Sequence, residues 1–247
     1  SLLFSRHIPY SQCRELVEKL ERLSNIYFRS RVKHIRTLPD TAPANRQLFY
    51  TIETLDEAIS RMRQVSFHYT SFGTDNAPHP RLDERGHVKE YTVSPYQMAA
   101  ANGRYYLIAC TEGHDNVSHY RLDRIADIRL LDSAAKPARD VRGLENGVNL
   151  PRHMAEHIYM FTGESAPVTF RAKKYILNDI IDWFGADAAF TDETESDVTV
   201  RVTVNLAAMR RWAVQYGPHV RLLSPEALVE DVRQDIMQAA GNYSRTI

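Results

Sequence analysis

The sequence predicts an α+β chain in three parts: linker helices, a small β-barrel, and a C-terminal α/β domain. Three observations predict this. Apolar residues recur at three-and-four spacing before residue 64, alternate over short runs between Val65 and Leu131, and mix the two periods after Pro167. A length of 247 residues suits two modest domains rather than one large one.

Residues 1–64 read as a helical linker and dimerisation segment. Ser11 can cap a helix on which Cys13, Leu16, Val17, Leu20 and Leu23 form one apolar stripe. Its other face carries Arg14, Glu15, Glu18, Lys19, Glu21 and Arg22. A helix this amphipathic must cover something, either its own core or a partner chain. Residues 37–47, with Pro39, Pro43 and Asn45, read as a linker. A second helix is expected to open at the capping box Thr54-x-x-Glu57, with Ile52, Leu55, Ala58, Ile59 and Met62 inward.

From Val65 the period is two. Val65 to Tyr69 alternates, Val88 to Met98 is extended around Pro95, and Gly103 turns the chain into Arg104 to Thr111. A turn at Gly113-His114-Asp115-Asn116 leads to one or two more strands between Val117 and Leu131. Five short strands with tight turns suggest a barrel of the Sm or SH3 kind over 65–132.

Residues 133–166 have linker composition around a short helix opened by Asn149 and Pro151. Beyond Pro167 a strand from Val168 leads to a helix, Tyr175 to Phe184, with Ile176, Leu177, Ile180, Ile181 and Phe184 inward and Gly185 as its cap. Strands near 187–191 and 198–204, a helix capped by Asn205, a strand from His219 and a helix opened by Ser224-Pro225 complete the chain. The order βαββαβα over 167–247 fits a ferredoxin-like sandwich.

Composition excludes several classes. With 43% hydrophobic and 25% charged residues the chain is not of the disordered type. No apolar run approaches the roughly 18 residues of a membrane span. No leader marks export, and Cys13 and Cys110 form no CxxC pair, so a cytoplasmic, reducing location is expected. Both cysteines read as core thiols. The start at Ser1, running straight into Leu2-Leu3-Phe4, suggests a natural N-terminus further upstream. Net charge is zero, and residues 65–132 carry seven Lys/Arg against nine Asp/Glu, so an anion site must be a local cluster.

Three ordered motifs stand out. Val93-Ser94-Pro95-Tyr96 is followed by Gly103-Arg104-Tyr105-Tyr106-Leu107-Ile108-Ala109 and then by Tyr120-Arg121-Leu122-Asp123-Arg124-Ile125. Together they closely resemble the WYL domain of bacterial transcriptional regulators, with Tyr105-Tyr106-Leu107 at the name-giving tripeptide. Tyr105 stands where Trp is typical. Phe49-Tyr50 with Leu55-Asp56-x-Ala58-Ile59 resembles the helix leading into that domain. Tyr216-Gly217, Val220 and Leu223-Ser224-Pro225-x-x-Leu228 resemble the family's C-terminal extension. The resemblance implies a homodimeric ligand sensor with nucleic acid or nucleotide-like effectors. It also implies operator DNA bound through a winged helix-turn-helix, which this chain lacks.

The residues make their own case for a ligand site. If Tyr120 and Leu122 face the core, alternation sends His119 and Arg121 together to the opposite face, with Arg124 just beyond. Ser94 and Tyr96 share a face of another strand, Tyr106 can lie near them, and Arg104 can widen the basic surface. Arginine forks, a hydroxyl and flat rings suit a short single-stranded oligonucleotide. An alternative stays open, in which Asp123 neutralises an arginine and the segment is an ion-paired barrel corner. Tyr106 is open between packing and stacking, while Tyr105, Leu107 and Ile108 read as core. Lys173 and Lys174 can add a basic edge or merely start a solvated helix.

One motif points to an enzyme. His153-Met154-Ala155-Glu156-His157 matches the inverted zinc-protease signature, and both histidines share one helix face. In so short a linker helix a solvent-facing role is the expectation, so no metal, no cofactor and no catalytic residue is expected. Phosphate-cradling glycine motifs and the GxSxG elbow do not occur.

Overall fold

A computed structural model describes residues 47–243 and, apart from them, Lys19. The expected helix over 11–23, its dimerisation role, Cys13 and the linker up to residue 46 lie outside the described residues. The chain is α+β, with two antiparallel sheets and, among the described residues, five α-helices. It divides into two compact units, one reaching residue 114 and resuming at 120–137, the other comprising 115–119 and 138–247.

The first unit opens with helix α1, Leu48–Ser60. It begins six residues before Thr54, so the capping-box expectation is corrected. Thr54 sits inside the helix, where its hydroxyl donates to the Tyr50 carbonyl at 2.9 Å. That local bond satisfies the hydroxyl without a terminus. Leu48, Thr51, Thr54, Leu55 and Ala58 are buried, whereas Met62 turns out to be 74% exposed because the chain has already left the helix there with φ 52°.

The strands are β1 (Arg63–Phe72), β2 (Pro78–Pro80), β3 (Glu90–Ala101), β4 (Arg104–Thr111), β5 (Val117–Arg121) and β6 (Ile125–Ala134). They run in the order β2-β1-β3-β4-β5, and β6 also pairs with β1. Asn102 and Gly103 both take positive φ, the geometry that joins β3 to β4 through a two-residue hairpin turn. A register shift between Pro95 and Gln97 absorbs the proline that cannot donate to the ladder. A 3₁₀ turn, Leu122–Arg124, separates β5 from β6. Val65, Phe67, Val93, Leu107, Leu122 and Ile125 pack inside with α1. Phe67, Tyr69, Tyr91 and Tyr120 form an aromatic cluster, with ring centroids 5.2 Å apart for Phe67–Tyr120 and Tyr69–Tyr120. Leu107 and Ile108 are core as expected, but Tyr105 is 38% exposed, at the start of β4 beside the Asn102-Gly103 turn. Cys110 is buried, its thiol 3.2 Å from the His114 carbonyl.

The second unit contains the short helix α2, Leu150–Glu156, whose first turn is capped by the Asn149 side chain accepting from the Arg152 N–H at 3.2 Å. Then follow β7 (Ser165–Lys173), α3 (Leu177–Phe184), β8 (Ala189–Thr191), β9 (Asp197–Asn205), α4 (Leu206–Gln215), β10 (Val220–Ser224) and α5 (Glu226–Asn242). The sheet order is β10-β7-β9-β8, all antiparallel. Val198, Val200, Val202 and Val204 alternate inward along β9 and meet Phe170, Phe184 and Trp212, which is fully buried. Gly185 takes φ 68° after α3, as a helix-ending glycine should. Ile181 is the departure, 50% exposed, because α3 starts at Leu177 and shows its neighbours Ile180 and Phe184 to the core instead. Among the described residues no helix is long and apolar enough to cross a membrane.

Candidate functional site

Four of the seven expected site residues gather at the end of β5 in the first unit. Arg121 forks onto Asp123, Nε to Oδ1 at 3.0 Å and Nη2 to Oδ2 at 2.6 Å. Arg104 reaches the same carboxylate, Nη1 to Oδ2 at 3.3 Å. Burial works to lower the Arg121 pKa, but the Asp123 carboxylate more than reverses it, with the Tyr106 and Tyr69 hydroxyls contributing. Arg124 follows in the 3₁₀ turn, and its buried Nε has no hydrogen-bond partner. Two guanidinium groups thus share one carboxylate, and the charge of a third, Arg124, acts on the neighbouring Tyr69 hydroxyl. The ion-paired corner weighed from the sequence is present, and a positive excess remains on it.

Tyr69 ties this corner together. Its hydroxyl accepts the Arg121 backbone N–H at 3.0 Å, and burial raises its pKa against the opposing charges of Arg124, Arg121 and Arg81. The Arg81 guanidinium lies 5.0 Å from the centre of the Tyr69 ring. Sequence reasoning missed Tyr69 and Arg81 as site residues. Tyr69 reads as one more core aromatic, and Arg81 follows β2, a strand that Pro78 and Pro80 conceal. Lys89 over the Tyr91 ring at 5.1 Å is a further cation–ring pair of this unit.

Ser94 and Tyr96 act together elsewhere. Ser94 is 1% exposed and accepts the Lys136 backbone N–H at 2.9 Å, while the Tyr96 hydroxyl donates to the Lys136 carbonyl at 2.8 Å. Both therefore clamp the chain as it leaves β6. In the second unit, Lys173 pairs with Asp197 at 2.9 Å and Lys174 with Glu193, so this basic edge is neutralised.

His119 makes its contacts within the second unit. Its Nε2 lies 2.7 Å from Nε2 of His153, and its ring centre is 4.9 Å from that of His157. His153 and His157 stack at 4.1 Å and are 7% and 8% exposed. The solvent-facing expectation for this helix is therefore corrected. The i,i+4 spacing puts His153 and His157, the residue that caps α2, on one side, and that side is buried. His157 Nδ1 lies 2.9 Å from the His153 carbonyl, which can only accept, so the proton sits on Nδ1 and Nε2 is left as the donor atom. Burial, with His157 and His153 beside it, pushes the His119 pKa down to about 2, a fall the Phe161 backbone opposes weakly. Nδ1 of His119 makes no well-formed hydrogen bond. Burial and then His157 push His153 down to about 4, and burial lowers His157 against the His153 carbonyl and Glu156. Three neutral imidazoles at pH 7 follow.

Comparison with known proteins places these features. The WYL domain model matches residues 50–130 and the WCX domain model residues 164–240. The chain thus belongs to the WYL-domain family, with a WYL domain followed by a WCX domain. No curated protein sequence matches it. Among solved structures it is similar to the proteasome accessory factor B/C (PafBC) of Arthrobacter aurescens, at 18% identity and a TM-score of 0.36, over 82% of this chain and 28% of that one. It is also similar to a CRISPR Cas-related protein, at 12% identity and a TM-score of 0.47, over 82% of this chain and 54% of that one. The chain therefore spans about a quarter to a half of those two proteins.

Proposed function

We propose that this chain is the ligand-sensing and dimerisation portion of a cytoplasmic bacterial transcriptional regulator. The WYL domain, over 65–132, is an Sm-like barrel that binds a short single-stranded nucleic acid or nucleotide-like effector. Arg121, Arg124 and Arg104 contact phosphate, and Tyr106 offers a ring for stacking. The WCX domain, over 167–247, is a ferredoxin-like sandwich that supports the dimer. Effector binding biases the separation of two upstream DNA-binding domains on operator DNA, and the chain performs no catalysis.

The observation that carries this reading is the positive excess at the end of β5, where Asp123 is shared by Arg121 and Arg104 while the buried Nε of Arg124 lacks a partner. A buried guanidinium nitrogen without an acceptor is costly, and a phosphate oxygen supplies one with charge assistance. Arg81 over Tyr69 adds a cation beside a ring, the pairing that single-stranded bases use. Ser94 and Tyr96 support the site through the Lys136 clamp rather than by touching the effector.

The test is a titration of labelled single-stranded DNA and RNA of about eight nucleotides, within the usual site size. Saturable binding with a weaker duplex of the same sequence is expected. No binding of any oligomer at low salt overturns the nucleic-acid effector. A second reading has an observation behind it. The double pairing of Asp123 also suits a plain oligomerisation module with a rigid corner, for which Arg124→Ala would leave every binding property unchanged.

A further inference from the structure

The histidine cluster of the second unit can do more than pack. His119, His153 and His157 each offer one ring nitrogen, and these atoms lie within 4.8 Å of one another. We propose that the three imidazoles form a binding site for a divalent late-transition-metal ion, zinc foremost, held as a structural clip rather than for catalysis.

Geometry supports this in two ways. First, the ligand atoms are preset. The His153 carbonyl holds the Nδ1 proton of His157, which is the outer-shell hydrogen bond that orients a ligating imidazole and leaves Nε2 for the metal. Second, the rings converge. Nε2 of His119 and Nε2 of His153 face each other at 2.7 Å. Two nitrogens of a tetrahedral zinc site stand about 3.3 Å apart, given metal–nitrogen bonds of about 2.0–2.1 Å. An opening of about half an ångström turns this contact into two ligand bonds.

The same geometry argues against hydrolysis. In the HxxEH pattern Glu156 would be the general base, yet it pairs with Arg152 at 2.7 Å on the adjacent face of α2. With Arg152 and Ala155 it lines a separate open cleft of about 390 Å³, shared with Phe184, Asp187 and Thr203, which the histidines do not line. The chemistry is therefore that of a clip. The ion joins residues 115–119 to α2 across 34 residues of sequence, a loop whose closure the metal would hold against chain entropy.

The test uses the full chain freed of metal by a chelator. Zinc is titrated in competition with a chromophoric chelator, and cobalt(II) is titrated alongside it as a visible probe. One equivalent of zinc should bind with a dissociation constant on the order of a micromolar or below. Cobalt should give the intense visible bands of a four-coordinate site, three imidazoles and one water. His119→Gln and His157→Gln should each weaken zinc by at least roughly a hundredfold, since losing a ligand costs more than losing an outer-shell partner. Circular dichroism confirms that the variants keep the fold, and the cobalt spectrum of the unaltered chain decides the matter without them. Weak binding that both variants retain would assign the metal to exposed groups such as His79 and Asp75, and overturn the proposal. So would the pale spectrum of six-coordinate cobalt.

Discussion

The arginine corner of the WYL domain and the histidine cluster of the second unit are both groups of like side chains drawn together, and they solve the resulting problem differently. The corner brings in a counter-charge, Asp123, which accepts from Arg121 twice and from Arg104 once. The histidine cluster has no such carboxylate pair among the described residues. Its members are buried, and burial holds them neutral. Guanidinium cannot shed its charge and must be paired, whereas imidazole gives up its proton for about 1.4 kcal/mol per unit of pKa shift. The difference teaches what each cluster can bind. A corner with surplus cation attracts phosphate, and a neutral nitrogen cluster attracts a metal ion.

Substitutions can break or sharpen this contrast. The largest effect is expected from Asp123→Ala, which strips the shared carboxylate from two partly buried arginines. It should destabilise the WYL domain by about 2 kcal/mol while tightening oligonucleotide binding, so that melting temperature and affinity move in opposite directions. If both fall together, the corner is only a brace. Arg121→Ala comes next. Asp123 keeps Arg104, so the expected loss of stability is about 1 kcal/mol, together with a weakening of oligonucleotide binding by about tenfold in anisotropy. The smallest change in stability belongs to Arg124→Ala, within about 0.5 kcal/mol, because no hydrogen bond of its buried Nε is lost. Chemical denaturation with unchanged m-value checks that figure, and affinity should still fall severalfold.

The two clusters also differ in how far the sequence revealed them. Arg121, Asp123 and Arg124 are neighbours in one motif, so alternation and a turn were enough to predict a charged corner and the ion-paired alternative to it. Tyr69 and Arg81 joined it only through pairing across the sheet, with β2 hidden by its prolines. For the histidines, HxxEH was legible at once, but the direction of its face was not. A helix of seven residues has too few apolar positions for its buried side to show. His119 was assigned to the arginine face because alternation along β5 fixes the face of a strand and not what covers it. In the second unit the order of strands and helices was readable from periodicity and caps. Asn205, whose side chain accepts from the Ala208 N–H at 3.0 Å, and Gly185 mark their helix ends. Element boundaries were read less well where local bonding replaced an end signal, as Thr54 did in α1.

The most direct test of the central claim, that surplus arginine charge on the WYL domain binds phosphate, is the salt dependence of oligonucleotide binding in unaltered chain and Arg121→Ala, followed by anisotropy. Three or four phosphate contacts on a single strand predict a slope of log affinity against log salt of about −2 to −3, shallower by about 0.7 for each contact the variant loses. A flat salt dependence, or a slope that Arg121→Ala leaves unchanged, would contradict the account.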